Sequence, residues 1–394
     1  MNRVIVSAAF LLMVINPSVL AFKVTLIFLL FPLLAIRQKR PISSWIWLLI
    51  GLQFSALLYS VVQGLDEILL SPIQAPLDEF KNHKRYDFSS YLPSYQSFAM
   101  QGLSFILAAQ TLVLGYRYLV SQREKLDTVL PPILSMILWI NAGFWYLQYG
   151  VYKLVGYVLS PFAVARTVGT LGEDLIFRGT GLFNEPGTYV CFVFPVLAMH
   201  LYLCKKVQVV QLLAILTFFL SFSVFGWVLG IIALILLCLS SLKASILLGA
   251  TAFVAALSQY EKIYFYLDGR LVEGFSGYSV QAKLVPLLFW WAQDFSRQLL
   301  GGWTVNDCHC LYYDSGLWFS LIYDYGVLAG FFLLFLIRRA IKDLRLLICL
   351  VGFLLTKLVM VQPVAIIFVL FLLLYKKPKT DSAQISGDHS VAVS

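Results

Sequence analysis

Long apolar blocks, broken by short charged or proline-bearing clusters, run through most of the chain. A helix needs about 20 apolar residues to cross a hydrocarbon layer about 30 Å thick. Blocks of that order recur at 4–21, 24–36, 42–63, 96–118, 129–150, 187–204, 207–222, 224–241, 244–260, 313–337, 344–358 and 361–375. The pattern predicts an all-α polytopic membrane protein with about 12 transmembrane helices. The stretch 207–241 is too long for one ordinary span and divides near Ser221-Phe222-Ser223 into a tight hairpin. The first block, from Arg3 to Ala21, also has the shape of a secretory signal peptide, but a second apolar segment follows at once and favours a retained span.

Three hydrophilic stretches interrupt the blocks, at about 64–95, 151–186 and 261–312. Residues 1–375 therefore read as a single transmembrane domain with three large loops on one side. Residues 376–394 are rich in Lys, Ser and Asp and predict a disordered tail.

Composition narrows the class further. Hydrophobic residues make up 60% of the chain and charged residues 12%, with a mean hydropathy of +0.84. Soluble domains carry about 25% charged residues, so a soluble globular protein is excluded, as are disordered and collagen-like chains. The net charge of +9 comes without a long basic run, so a nucleic-acid partner is not indicated. The compact basic clusters Arg37/Lys39/Arg40, Arg123/Lys125, Lys205/Lys206, Arg338/Arg339/Lys342/Arg345 and Lys376/Lys377/Lys379 all fall on one side of the predicted spans. That side is the cytoplasmic one, with both termini on it, and the three loops lie outside.

Six cysteines in such a chain do not imply a disulfide framework. Cys308-His309-Cys310 has metal-ligand residue types, but three contiguous side chains do not readily converge on one ion, so no metal is expected there. Nucleotide-loop, metalloprotease and nucleophile-elbow motifs are absent from the sequence. A reaction on the outer side must then draw on a group already activated in the substrate.

The most distinctive segment is Arg178-Gly179-Thr180-Gly181-Leu182-Phe183-Asn184-Glu185-Pro186-Gly187-Thr188, ending where an apolar span begins. Its glycines, Asn and Pro predict a sharply turning loop whose backbone N–H groups can face an anion. The alternative is an ordinary surface loop, with Arg178 reaching lipid phosphate and Glu185 capping a helix. The third loop places Arg270, Lys283 and Arg297 among Trp290, Trp291 and Phe295, a mixture suited either to phosphate binding or to simple interfacial anchoring. His309 and Asp314 follow, and Asp324 falls about three turns into the next span. An acid is costly in lipid, so Asp324 should face the protein interior. An imidazole with an ordinary pKa of about 6.5 suits His309 to proton abstraction.

These features together resemble the bacterial O-antigen polymerases of the Wzy type and their relatives the O-antigen ligases. The resemblance rests on RGTGLFNEP at 178–186, on Asp314-Ser315-Gly316 and Tyr325-Gly326-Val327-Leu328-Ala329-Gly330, and on a plan of many helices with two functional periplasmic loops. The chain departs from the family in its second functional loop, often Arg- and Gly-rich, which here carries Arg270 and Arg297 with Lys283. The resemblance implies a glycosyltransferase of the GT-C class in the inner membrane, joining oligosaccharide repeat units carried on undecaprenyl pyrophosphate. It implies Arg178, Arg270 and Arg166, with Lys283 and Arg297, as groups stabilising the departing pyrophosphate. Glu185 and His309 become the candidate bases, with Asn184, Pro186, Asp314 and Asp324 in support. No cofactor or metal is expected, although Asp66-Glu67 leaves a metal-dependent variant open. The implied partners are the lipid-linked oligosaccharides, the bilayer and a chain-length regulator protein, and no nucleic acid. The alternatives are an O-antigen ligase transferring glycan to lipid A–core, and a polysaccharide-related transporter or flippase.

Overall fold

The structure is a computed structural model that describes residues 95–159, 168–171, 174–183, 185–204, 206–257, 287, 290–291, 295–301, 315–360 and 362–375. The predicted spans 4–21, 24–36 and 42–63, the polar stretch up to residue 94 and the tail 376–394 lie outside the described residues. The helices are α1 (Tyr95–Ser121), α2 (Leu126–Val155), α3 (Pro186–Leu203), α4 (Val209–Leu220), α5 (Val224–Cys238), α6 (Leu242–Leu257), α7 (Phe295–Leu300), α8 (Leu317–Ala340), α9 (Leu344–Leu354) and α10 (Pro363–Leu374). A hairpin of β1 (Val168–Leu171) and β2 (Asp174–Phe177) precedes α3, with Val168 opposite Phe177 and Leu171 opposite Asp174.

Every apolar block predicted between 96 and 375 contains a helix among the described residues, and the division of 207–241 falls at Ser221-Phe222-Ser223 as expected. Lengths differ from the prediction. Among the described residues, four helices, α1, α2, α3 and α8, are long and apolar enough to cross a membrane. The other apolar helices are shorter: α4 and α10 have 12 residues each and α9 has 11. At 1.5 Å per residue they rise only about 16–18 Å, against about 30 Å of hydrocarbon. Hydropathy extends across the turns that stop these helices, which is why the sequence reads as longer blocks.

Helix α3 is the central pillar. It is apolar on every face, 89% of its residues are buried, and it packs against α2, α4, α5, α9 and α10, as expected of a helix with no polar stripe. Proline at its first position has no N–H to lose and a preset φ, so the helix starts cleanly at Pro186.

One end of the bundle is tied by polar side chains. Asp343 caps α9, accepting from the Arg345 and Leu346 N–H groups at 3.0 and 3.4 Å, and accepts from the Tyr202 hydroxyl at 2.9 Å. The Arg345 guanidinium donates to Leu201 O and, at 2.9 Å, to Ser240 Oγ. Arg339 donates to Tyr375 O at 2.8 Å. The C-terminal ends of α3, α5, α8 and α10 and the start of α9 thus share a basic end, as the clustering of cations in the sequence predicts. The opposite end receives the long loops.

Candidate functional site at the loop end

The Arg178–Thr188 segment is fixed in place by α2. Trp145, Tyr149 and Tyr152, spaced by four and three, share one helix face, and Phe177 at the end of β2 packs on it. Ring centroids lie 6.2, 5.8 and 4.9 Å from Phe177 to Trp145, Tyr149 and Tyr152. Gln148 then clamps the loop. The Gly181 N–H donates to Gln148 Oε1 at 2.8 Å, and Gln148 Nε2 donates to Gly181 O at 3.0 Å and Leu159 O at 2.9 Å. Gly179 lies so close to Trp145 that a Cβ would stand 2.1 Å from the indole nitrogen, so the position admits only glycine. Arg178 is half-buried between the buried Phe177 and Gly179.

Seven residues on, Glu185 occupies the N-cap position of α3 with extended backbone, yet its side chain makes no capping bond. Its Oε1 instead accepts from Thr188 Oγ1 at 2.9 Å and from the Lys357 ammonium at 3.4 Å. The alternative reading of Glu185 as a side-chain helix cap is therefore corrected: the carboxylate is turned to a lysine 172 positions away. Lys357 lies in the turn between the short helices α9 and α10, and its N–H donates to Cys191 Sγ at 3.2 Å. Ser223, the N-cap residue of α5, borders the pair: a Cβ on Gly187 would be 3.4 Å from Ser223 Oγ, 3.6 Å from Glu185 Oε1 and 3.7 Å from Lys357 Cε. The side chains of Lys357 and Glu185 are 16% and 31% exposed, so the pair is partly buried and not sealed in the core.

Asp324 is 4% exposed, facing the interior as expected. Two residues later α8 is interrupted at Gly326, with φ 58° and ψ −142°, a conformation open essentially to glycine alone. The end of α7 seats in this break: a Cβ on Gly326 would lie 2.4 Å from Leu299 O, and one on Gly301 would lie 2.4 Å from Asp324 O. Leu287 and Trp290 pack against Phe319 and Tyr323 of α8, while Trp291 and Phe295 are each 77% exposed. The aromatic part of the third loop is thus divided between packing and exposure.

The structure brings Glu185 and Pro186 to one cluster and fixes Arg178 at the other end of the same loop. Arg297 falls on α7, with its side chain outside what the structure describes. Arg166, Asn184, Arg270, Lys283, His309 and Asp314 lie outside the described residues. Sequence reasoning missed Gln148, Ser223 and Lys357 as site residues. Lys357 carried the clearest signal, since a cation within an apolar block needs an acidic partner, and Glu185 opens another such block.

No protein-family model, curated protein or solved structure matches this chain.

Proposed function

We propose that this chain is a bacterial inner-membrane O-antigen polymerase of the Wzy type with GT-C-like architecture. It joins undecaprenyl-pyrophosphate-linked oligosaccharide repeats at the periplasmic face, both termini being cytoplasmic. The acceptor's terminal hydroxyl attacks the anomeric carbon of the donor's reducing-end sugar, and lipid pyrophosphate departs. Arg178 stabilises the developing charge and Glu185 or His309 takes the proton. The reading needs no metal or cofactor, and a chain-length regulator is a natural partner. The observation that carries it is a loop held rigidly on α2 that runs from a half-buried arginine to a partly exposed carboxylate–ammonium pair.

A gel of surface lipopolysaccharide from cells lacking the gene tests it. Polymerase activity predicts a core bearing a single repeat unit, restored to a ladder by the unaltered gene and not by Arg178→Ala. A bare core with lipid-linked polymer accumulating would identify a ligase instead, and an unchanged ladder would refute both.

A transporter reading draws on the break in α8 beside buried Asp324, since interrupted helices and embedded acids mark translocation paths. Under that reading Asp324→Asn abolishes function while charge changes in the loop are tolerated; the polymerase reading requires the loop to be sensitive.

A further inference from the structure

Lys357 is a charged group beside Glu185 that the proposed reaction leaves unused. Its ammonium lies 3.4 Å from Glu185 Oε1 and 4.9 Å from the centre of the Phe225 ring. Three helices begin around it. α3 starts immediately after Glu185 and α5 immediately after Ser223. α8 starts at Leu317, whose N–H donates at 2.6 Å to Thr356 O, the residue before Lys357. Helix N-termini favour anions and disfavour cations, so a lysine placed among three of them needs a negative partner. Among the described residues the Glu185 carboxylate is such a partner, and it occupies a position a stronger anion could also fill. The side chain suits an exchange of partners: an ammonium is a compact charge on a flexible stem, whereas a guanidinium is a rigid fork.

Building on the glycosyltransferase reading, we propose that Lys357 leaves Glu185 for the diphosphate of the lipid-linked donor, freeing the Glu185 carboxylate to accept the acceptor's hydroxyl proton. Donor docking and exposure of the base become one event. Thr188 Oγ1, 2.9 Å from Glu185 Oε1, keeps the carboxylate oriented after the lysine departs. The acceptor oxygen then forms its bond to the anomeric carbon and its proton passes to Glu185. The bond from that carbon to the diphosphate oxygen breaks, and its electron pair leaves on the lipid diphosphate facing Lys357. Before the donor arrives the base stays neutralised by Lys357, which protects against activating water in place of an acceptor.

Binding to the full-length protein in lipid nanodiscs tests the exchange, with undecaprenyl diphosphate, undecaprenyl monophosphate and phosphatidylglycerol as probes. Lys357→Gln should weaken diphosphate binding about 10-fold or more, the loss of one charge-assisted hydrogen bond. Glu185→Gln removes the carboxylate that competes with the diphosphate for the lysine, so it should bind diphosphate at least as tightly as the unaltered protein while losing polymerisation. A purely structural ion pair predicts the opposite for Glu185→Gln, a weakening in step with Lys357→Gln, and that result overturns the proposal. It is the deciding arm should Lys357→Gln fail to fold. Unchanged binding by a folded Lys357→Gln removes Lys357 from the site and leaves the polymerase reading standing. An unaltered protein that binds no undecaprenyl diphosphate refutes that reading and the exchange with it. Equal competition by phosphatidylglycerol would make the site a headgroup seat and overturn the donor assignment.

Discussion

Gln148→Leu probes whether the Arg178–Thr188 loop depends on its clamp. Leucine preserves most of the side-chain volume but removes three hydrogen bonds, those from Gly181 N–H and to Gly181 O and Leu159 O, at 2.8, 3.0 and 2.9 Å. Gln148 is fully buried, so the partners lose their bonds without gaining water while the loop stays docked. Leaving one buried N–H unsatisfied costs about 1–3 kcal/mol and each of the two further bonds contributes about 1 kcal/mol, giving roughly 3–5 kcal/mol in favour of an open loop. The loop can rehydrate by detaching from α2, so the loss should appear as local opening more than as global unfolding. Trypsin reads this directly, because cleavage after Arg178 requires the loop to leave the Trp145 face. When opening is fast relative to cleavage the rate follows the open population, and the lower figure of about 3 kcal/mol corresponds to about a 150-fold acceleration. Cleavage of Gln148→Leu at the unaltered rate, in protein with an unaltered melting profile, would show that the loop is held by something else.

Two further substitutions test the ends of the bundle. Asp343→Ala removes the α9 cap and the Tyr202 bond and should cost about 1–2 kcal/mol, read as a lower melting temperature in detergent with donor binding at the loop end intact. Gly326→Ala imposes a Cβ on a glycine-only conformation, 2.4 Å from Leu299 O. It should cost about 1–3 kcal/mol and displace α7, seen as faster amide exchange over residues 295–301 with no change around Arg345.

What could be read from the sequence, and what could not, divides by range. Runs of apolar residues located the helices from 95 onward except the six-residue α7, which falls inside the predicted loop 261–312, and they located the split at Ser221-Phe222-Ser223, because both signals are written in consecutive residues. The cost of an acid in lipid placed Asp324 inside, since that rule needs no knowledge of the partner. Two further features escaped. Strands Val168–Leu171 and Asp174–Phe177 are too short for a period of two to stand out within a polar stretch. The Glu185–Lys357 pair spans 172 positions, and no spacing rule reaches that far.

The helix lengths show why the pair matters. Had α9 and α10 crossed fully, the turn between them would carry Lys357 into water, where an exposed ion pair contributes about 0–1 kcal/mol. Because α9 stops after 11 residues, the turn instead meets α3 at Cys191, five residues beyond its start at Pro186. Lys357 must therefore reach back toward the loop end to find Glu185. The charges meet beside buried Ser223 and against the Phe225 ring, with only 16% of the lysine exposed. Partial dehydration strengthens the attraction of that lysine for any anion that can displace the carboxylate. The early stops of α4 and α9, which look like defects against a count of full spans, are what bring a serine and a lysine to the start of the central helix.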